Sequence, residues 1–123
     1  MHSVLVVDDD PSIREMLRVM LTFSGYEVTE AGDGMEALVK AREAQPDVMI
    51  LDVMLPRMCG IDVCKTLRQE NSTSTLPIIM LSARTDRDDV ARGMAAGATK
   101  YMGKPMCTQE LLNSIENLAN VAC

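Results

Sequence analysis

The chain has 123 residues, with 12 basic and 18 acidic side chains for a formal net charge of −6, and its aromatics are two tyrosines and one phenylalanine. A content of 47% apolar and 24% charged residues fits one globular domain built on one core. The acidic balance and the scarcity of aromatics exclude the basic stripe and stacking platforms that hold nucleic acid, so no direct nucleic-acid binding is expected.

Residues 3–7 contain the apolar run Val4-Leu5-Val6-Val7 and predict a strand buried on both faces. The clearest helix follows, with Asp10 as N-cap, Pro11 in the first turn and Gly25 as stop. It places Ile13, Met16, Leu17, Met20 and Leu21 on one stripe at helical spacing. After it the pattern predicts a strand near 26–30, a helix near 34–44, a strand at 47–51 and a helix near 60–69. A strand at 77–81, a helix near 87–96, a strand near 98–102 and a helix near 108–120 complete the chain. Five strand-then-helix units, with three strands that are unbroken apolar runs, predict an α/β domain. The expected architecture is a doubly wound five-stranded parallel sheet of order 2-1-3-4-5 with five helices, flavodoxin-like in topology.

The apolar runs fall far short of the ~20 residues needed to cross a bilayer. No membrane contact is expected, and the N-terminus lacks the basic start and longer apolar stretch of a signal peptide, so the cytoplasm is the expected compartment. Cys59, Cys64, Cys107 and Cys123 include no CxxC pair, and His2 is the one histidine. They read as free thiols and not as a zinc site. The 11 methionines read as core filler.

In a sheet of this order ligands bind beyond the carboxyl ends of the strands, where strand order reverses. Those positions hold Asp8 and Asp9 after the first strand, Asp52 after the third, Ser82 after the fourth and Lys104 just past the fifth. Asp10 is assigned to helix capping. Asp52 falls opposite Asp8 and Asp9, and such like charges repel unless a cation joins them. A Mg²⁺ site using few carboxylates together with phosphate oxygens suits the cluster better than a calcium cage. A lysine and a hydroxyl beside a metal-clamped carboxylate can stabilise a transferring phosphoryl group, with Asp52 as the nucleophile.

The segments VLVVDDDPSIREML, DVMILDVMLPRMCGIDVCKTLR, PIIMLSAR and AAGATKYMGKP resemble, in order and spacing, the receiver domain of two-component response regulators of the chemotaxis-regulator-like kind. The resemblance spans residues 1–123. It implies that Asp52 accepts a phosphoryl group from a phosphohistidine of a sensor histidine kinase or histidine phosphotransferase. It implies Mg²⁺, or Mn²⁺ in its place, bound by Asp9, Asp52 and the backbone carbonyl of Met54, with Asp8 acting mainly through a bound water. Ser82 and Lys104 would hold the phosphoryl oxygens, Tyr101 would turn inward as Ser82 moves, and the Lys104-Pro105 bond would be cis.

The resemblance further implies self-catalysed phosphorylation and slow dephosphorylation, although not a classical enzyme. The signal would be a changed surface near the fourth helix and fifth strand, read by an output domain or protein, in a monomer or a phosphorylation-linked dimer. The chain would be a stand-alone regulator or one receiver of a larger protein.

Several positions depart from the commonest form of the family. Arg57, Cys59, Lys100 and Met106 are such departures, and Lys100 and Met106 border the output face. Met54 and Arg84 stand two residues beyond the acceptor and the hydroxyl residue, where they are expected to slow the hydrolytic water. The competing readings are a flavodoxin-like module for a phosphate ligand, a small-substrate phosphatase, and a docking scaffold independent of phosphorylation. The first wants a Gly-rich loop where this chain has Asp8-Asp9-Asp10-Pro11, and the second wants another acid two residues after Asp52.

Overall fold

The computed structural model describes residues 2–121. Its elements are β1 (Ser3–Val7), α1 (Pro11–Phe23), β2 (Glu27–Ala31), α2 (Gly34–Ala44), β3 (Val48–Asp52), α3 (Gly60–Gln69), β4 (Ile78–Ser82), α4 (Arg87–Ala95), β5 (Lys100–Gly103) and α5 (Thr108–Val121). The five strands form one parallel sheet in the order β2-β1-β3-β4-β5, the arrangement expected from the sequence.

Alternation along the strands explains why they read as unbroken apolar runs. Leu5, Val7, Met49, Leu51, Ile78 and Met80 point to one face, where Leu38 of α2 and Val63 and Leu67 of α3 cover them. Val4, Val6, Ile50, Ile79 and Leu81 point to the other, against Leu17 and Leu21 of α1 and Leu111 and Ile115 of α5. Both faces are removed from water, so neither set of positions can be polar.

Helix starts follow local hydrogen bonding. Asp10, Asp33 and Asp86 are N-caps whose carboxylates accept from the backbone N–H groups of Ser12, Glu36 and Asp89. Each satisfies a donor that the helix itself leaves open, and each places negative charge at the positive end of the helix dipole.

Several boundaries move from the expected positions. The ladder continues through two polar residues, pairing Asp52 with Leu81 and Ser82 with Gly103, so β3 and β4 end on the residues expected to follow them. The fifth strand begins at Lys100 and not near 98, because Thr99 engages Ile78 partly through its side chain: Ile78 N–H donates to Thr99 Oγ1 at 3.0 Å. The methionines are not all core filler either. Met49, Met80 and Met102 are buried, but Met16, Met35, Met54 and Met94 are about half exposed, so Met16 lies on the solvent edge of the α1 stripe. Cys59 and Cys107 are exposed free thiols and Cys64 a buried one, while Cys123 lies outside the described residues.

Candidate functional site

The carboxyl ends of β1, β3 and β4 and the start of the loop after β5 bring four of the expected residues to one edge of the sheet. Asp8 follows β1 and is 2% exposed. Its Oδ1 accepts from the Asp10 backbone N–H at 2.9 Å, and its Oδ2 accepts from the Lys104 ammonium at 2.8 Å. Arg14 of α1 clamps the same residue by donating to its carbonyl oxygen at 2.8 Å.

Asp52 ends β3 and is 5% exposed. Its Oδ1 accepts from the Met54 backbone N–H at 3.1 Å, and its Oδ2 lies 3.2 Å from Lys104 Nζ. Gly60 permits the close return of the chain over this residue. A Cβ there would lie 2.4 Å from the Asp52 carbonyl oxygen and 2.8 Å from Val53 Cα, inside any tolerable contact. The Gly60 N–H instead donates to the Val53 carbonyl at 2.8 Å, fixing the start of α3 against the end of β3.

Asp9 is exposed, yet one carboxylate oxygen from each of Asp8, Asp9 and Asp52 lies within 4.8 Å of the others. Burial raises the Asp52 pKa above the ordinary carboxylate value; the Met54 N–H opposes this, the charge of Asp8 adds to it, and the charge and hydrogen bond of Lys104 oppose it. For Lys104 burial acts to lower the pKa, but the bonds and charges of Asp8 and Asp52 outweigh it and the net shift is upward. The lysine therefore stays an ammonium. Three carboxylates and one ammonium leave a formal charge of −2 on a set of hard oxygen donors. That donor set fits a divalent cation of the Mg²⁺ type.

Ser82 is fully buried at the end of β4, and its Oγ accepts from the Arg84 N–H at 3.0 Å. Its carbonyl accepts from the Lys104 N–H at 2.8 Å, which ties the serine and the lysine through backbone. The Lys104-Pro105 peptide is cis. Tyr101, half-buried in β5, donates its hydroxyl to the Arg84 carbonyl at 2.6 Å. Arg84 is thus held at its backbone N–H by Ser82 and at its carbonyl by Tyr101. The Tyr101 ring occupies space that a side chain at Gly93 of α4 would fill, since a Cβ there would lie 2.7 Å from Tyr101 Cδ2.

Sequence reasoning singled out the Arg84 side chain but did not find the anchoring of its backbone, the roles of Gly93 and Gly60, or the hydrogen bond from Lys100 Nζ to Ser114 Oγ at 2.7 Å that joins β5 to α5. Glycine at two packed positions was the available signal; the partners of Arg84 and Lys100 left no pattern in one sequence.

The model of the response regulator receiver domain matches residues 4–116. The DNA-binding response regulator MtrA of Mycolicibacterium smegmatis is 49% identical over 109 residues, which are 89% of this chain and 46% of that protein. The chain therefore spans about half the length of the curated relatives it matches. Among solved structures, Vibrio cholerae chemotaxis protein CheY4 superposes with a TM-score of 0.90 at 41% identity, covering 96% of this chain and 98% of that one. The receiver domain of sensor histidine kinase PA1611 from Pseudomonas aeruginosa PAO1 has a TM-score of 0.90 at 28% identity, covers 97% of this chain and 98% of its own, and holds a magnesium ion in its active site cleft. Family match, fold and the acidic edge of the sheet agree: this chain belongs to the response regulator receiver domains of two-component signalling.

Proposed function

We propose that Asp52 is the phosphoacceptor of this receiver and takes its phosphoryl group from a phosphohistidine on a sensor histidine kinase or histidine phosphotransferase. The observation that carries this is the placement of Lys104 between two buried carboxylates, 2.8 Å from Asp8 and 3.2 Å from Asp52. Asp52 contributes a carboxylate oxygen to phosphorus, the bond from phosphorus to the donor imidazole breaks, and its electron pair leaves with the ring nitrogen. Lys104 and Ser82 hold the phosphoryl oxygens, the first from its position beside Asp52 and the second from the adjacent strand end. Asp9, Asp52 and the Met54 carbonyl would hold Mg²⁺, with Asp8 acting through a bound water. When bound, the ion supplies the positive charge that offsets repulsion between the acceptor and the incoming phosphoryl oxygens. Mn²⁺ would serve in its place.

The phosphoryl group adds about −1.5 to −2 charge beside Ser82 and Lys104. Movement of Ser82 toward it pulls on the Arg84 peptide and, through it, on the Tyr101 hydroxyl. The output is a changed surface at α4 and β5, read by an output domain or protein, in a monomer or a phosphorylation-linked dimer. Residence in the cytoplasm belongs to the same reading; among the described residues no helix is long and apolar enough to cross a membrane. MtrA is a DNA-binding response regulator, and this chain spans 46% of it. The expectation of no nucleic-acid contact therefore extends to residues 1–123 and no further.

Incubation with Mg²⁺ and acetyl phosphate, followed by intact mass, tests the reading. The native chain gains one phosphoryl group and Asp52→Asn gains none; equal uptake by both, or none by either, contradicts it.

A further inference from the structure

We propose that the apolar pocket beside Lys104 receives the hydrocarbon tail of an acyl phosphate, so that Asp52 is phosphorylated faster by longer acyl phosphates than by acetyl phosphate. This rests on Asp52 as the acceptor and adds a donor preference to it. Ile13 and Met16 of α1, Ala83 after β4, and Pro105 and Met106 after β5 surround about 400 Å³ of space, and the remaining wall is Lys104. Five of these six residues are apolar, and the sixth carries its ammonium 2.8 and 3.2 Å from Asp8 and Asp52. The apolar walls of the pocket meet the acceptor site at one shared residue, Lys104, and that juxtaposition suits one kind of small ligand, an anionic phosphoryl head on a short hydrocarbon. Met16 and Met106 are adaptable, polarisable walls that can close on tails of different length.

In the step, one Asp52 carboxylate oxygen forms a bond to phosphorus and the bond from phosphorus to the acyl oxygen breaks. The electron pair leaves with that oxygen as a free carboxylate, so no proton has to move. Acetate, propionate and butyrate are leaving groups of nearly equal basicity. Intrinsic reactivity therefore produces no slope with chain length, and a slope reports burial of the tail.

The experiment compares initial phosphorylation rates with acetyl, propionyl and butyryl phosphate at equal low concentration in the presence of Mg²⁺. The expected result is a rise of about two- to fourfold per methylene, the range from partial to full burial. In the Met16→Ser/Met106→Ser double variant that slope collapses toward one. A second readout needs no turnover: with methyl-labelled methionine, butylphosphonate shifts the Met16 and Met106 signals and methylphosphonate does not. Equal rates across the series with unshifted methionine signals would overturn the proposal. Phosphoramidate carries no hydrocarbon and separates the two levels. Uptake from it alongside equal acyl phosphate rates overturns the pocket and leaves Asp52 as the acceptor, whereas no uptake from any donor overturns both.

Discussion

The ammonium of Lys104 donates to Asp8 Oδ2 at 2.8 Å across 96 positions of chain, joining the loop after β5 to the end of β1. The same nitrogen lies 3.2 Å from Asp52, so one cation separates two carboxylates that would otherwise face each other in a site of low polarisability. With the lysine 18% exposed and both aspartates nearly buried, this ion pair is screened little by solvent.

Lys104→Met should therefore destabilise the metal-free protein by about 2–3 kcal/mol, below the cost of breaking a fully buried pair because the ammonium keeps some water. Urea unfolding with and without Mg²⁺ checks it. The divalent ion should return part of the loss in the variant, and a variant as stable as the native chain without metal would contradict the account.

Asp52 predicts an opposite sign for its own removal. Burial lifts its folded pKa above the unfolded value, so the folded state holds the proton more tightly. The associated stability is fully present below the ordinary carboxylate pKa and is lost as pH rises through the folded value. Asp52→Asn should thus be more stable than the native chain at neutral pH without metal, with the advantage vanishing in acid. Mg²⁺ should raise the melting temperature of the native chain more than that of the variant. Thermal melts across pH measure both; an advantage that grows in acid would contradict the assignment.

Gly93→Ala tests the packing that holds Tyr101. Alanine favours a helix by about 1 kcal/mol over glycine, but its methyl would meet the Tyr101 ring at 2.7 Å, and overpacking costs typically 1–3 kcal/mol. A net loss of about 1 kcal/mol is expected in the native background, turning neutral or favourable in Tyr101→Ala. Urea unfolding of the four proteins in the cycle decides it, and equal effects in both backgrounds would remove the proposed contact.

The lifetime of the phosphoryl group should depend on Met54 and Arg84. Met54 is 52% exposed beside Asp52, and the Arg84 side chain is exposed two residues past Ser82. Replacing both with alanine should speed phosphate loss several-fold, timed after rapid removal of the phosphodonor. Unchanged or slower loss would show that neither side chain impedes the hydrolytic water.

The sheet was legible in the sequence because burial on both faces forces unbroken apolar runs such as Val4–Val7 and Ile78–Leu81, and the alternation of strand and helix makes a parallel sheet the economical arrangement. The strand ends were less legible. Asp52 and Ser82 look like loop residues from their polarity, yet parallel pairing to Leu81 and Gly103 carries the ladder through them. The convergence of Asp8, Asp9, Asp52 and Lys104 was legible as well, because strand order alone brings these ends together. What one sequence could not show were contacts set by tertiary approach. The Arg84 carbonyl that receives Tyr101 is backbone, and backbone acceptors leave no residue signature. The exposed methionines were misread for the related reason that methionine is equally at home in a core and on an adaptable rim, as Met49 and Met16 illustrate.

The most direct test of the central claim locates the modified residue. After exposure to Mg²⁺ and acetyl phosphate, borohydride reduction converts an aspartyl phosphate to homoserine, and peptide mapping by mass identifies where it lies. The account predicts homoserine at position 52 alone; homoserine at Asp8 or Asp9, or phosphate recovered on a serine or threonine instead, would contradict it.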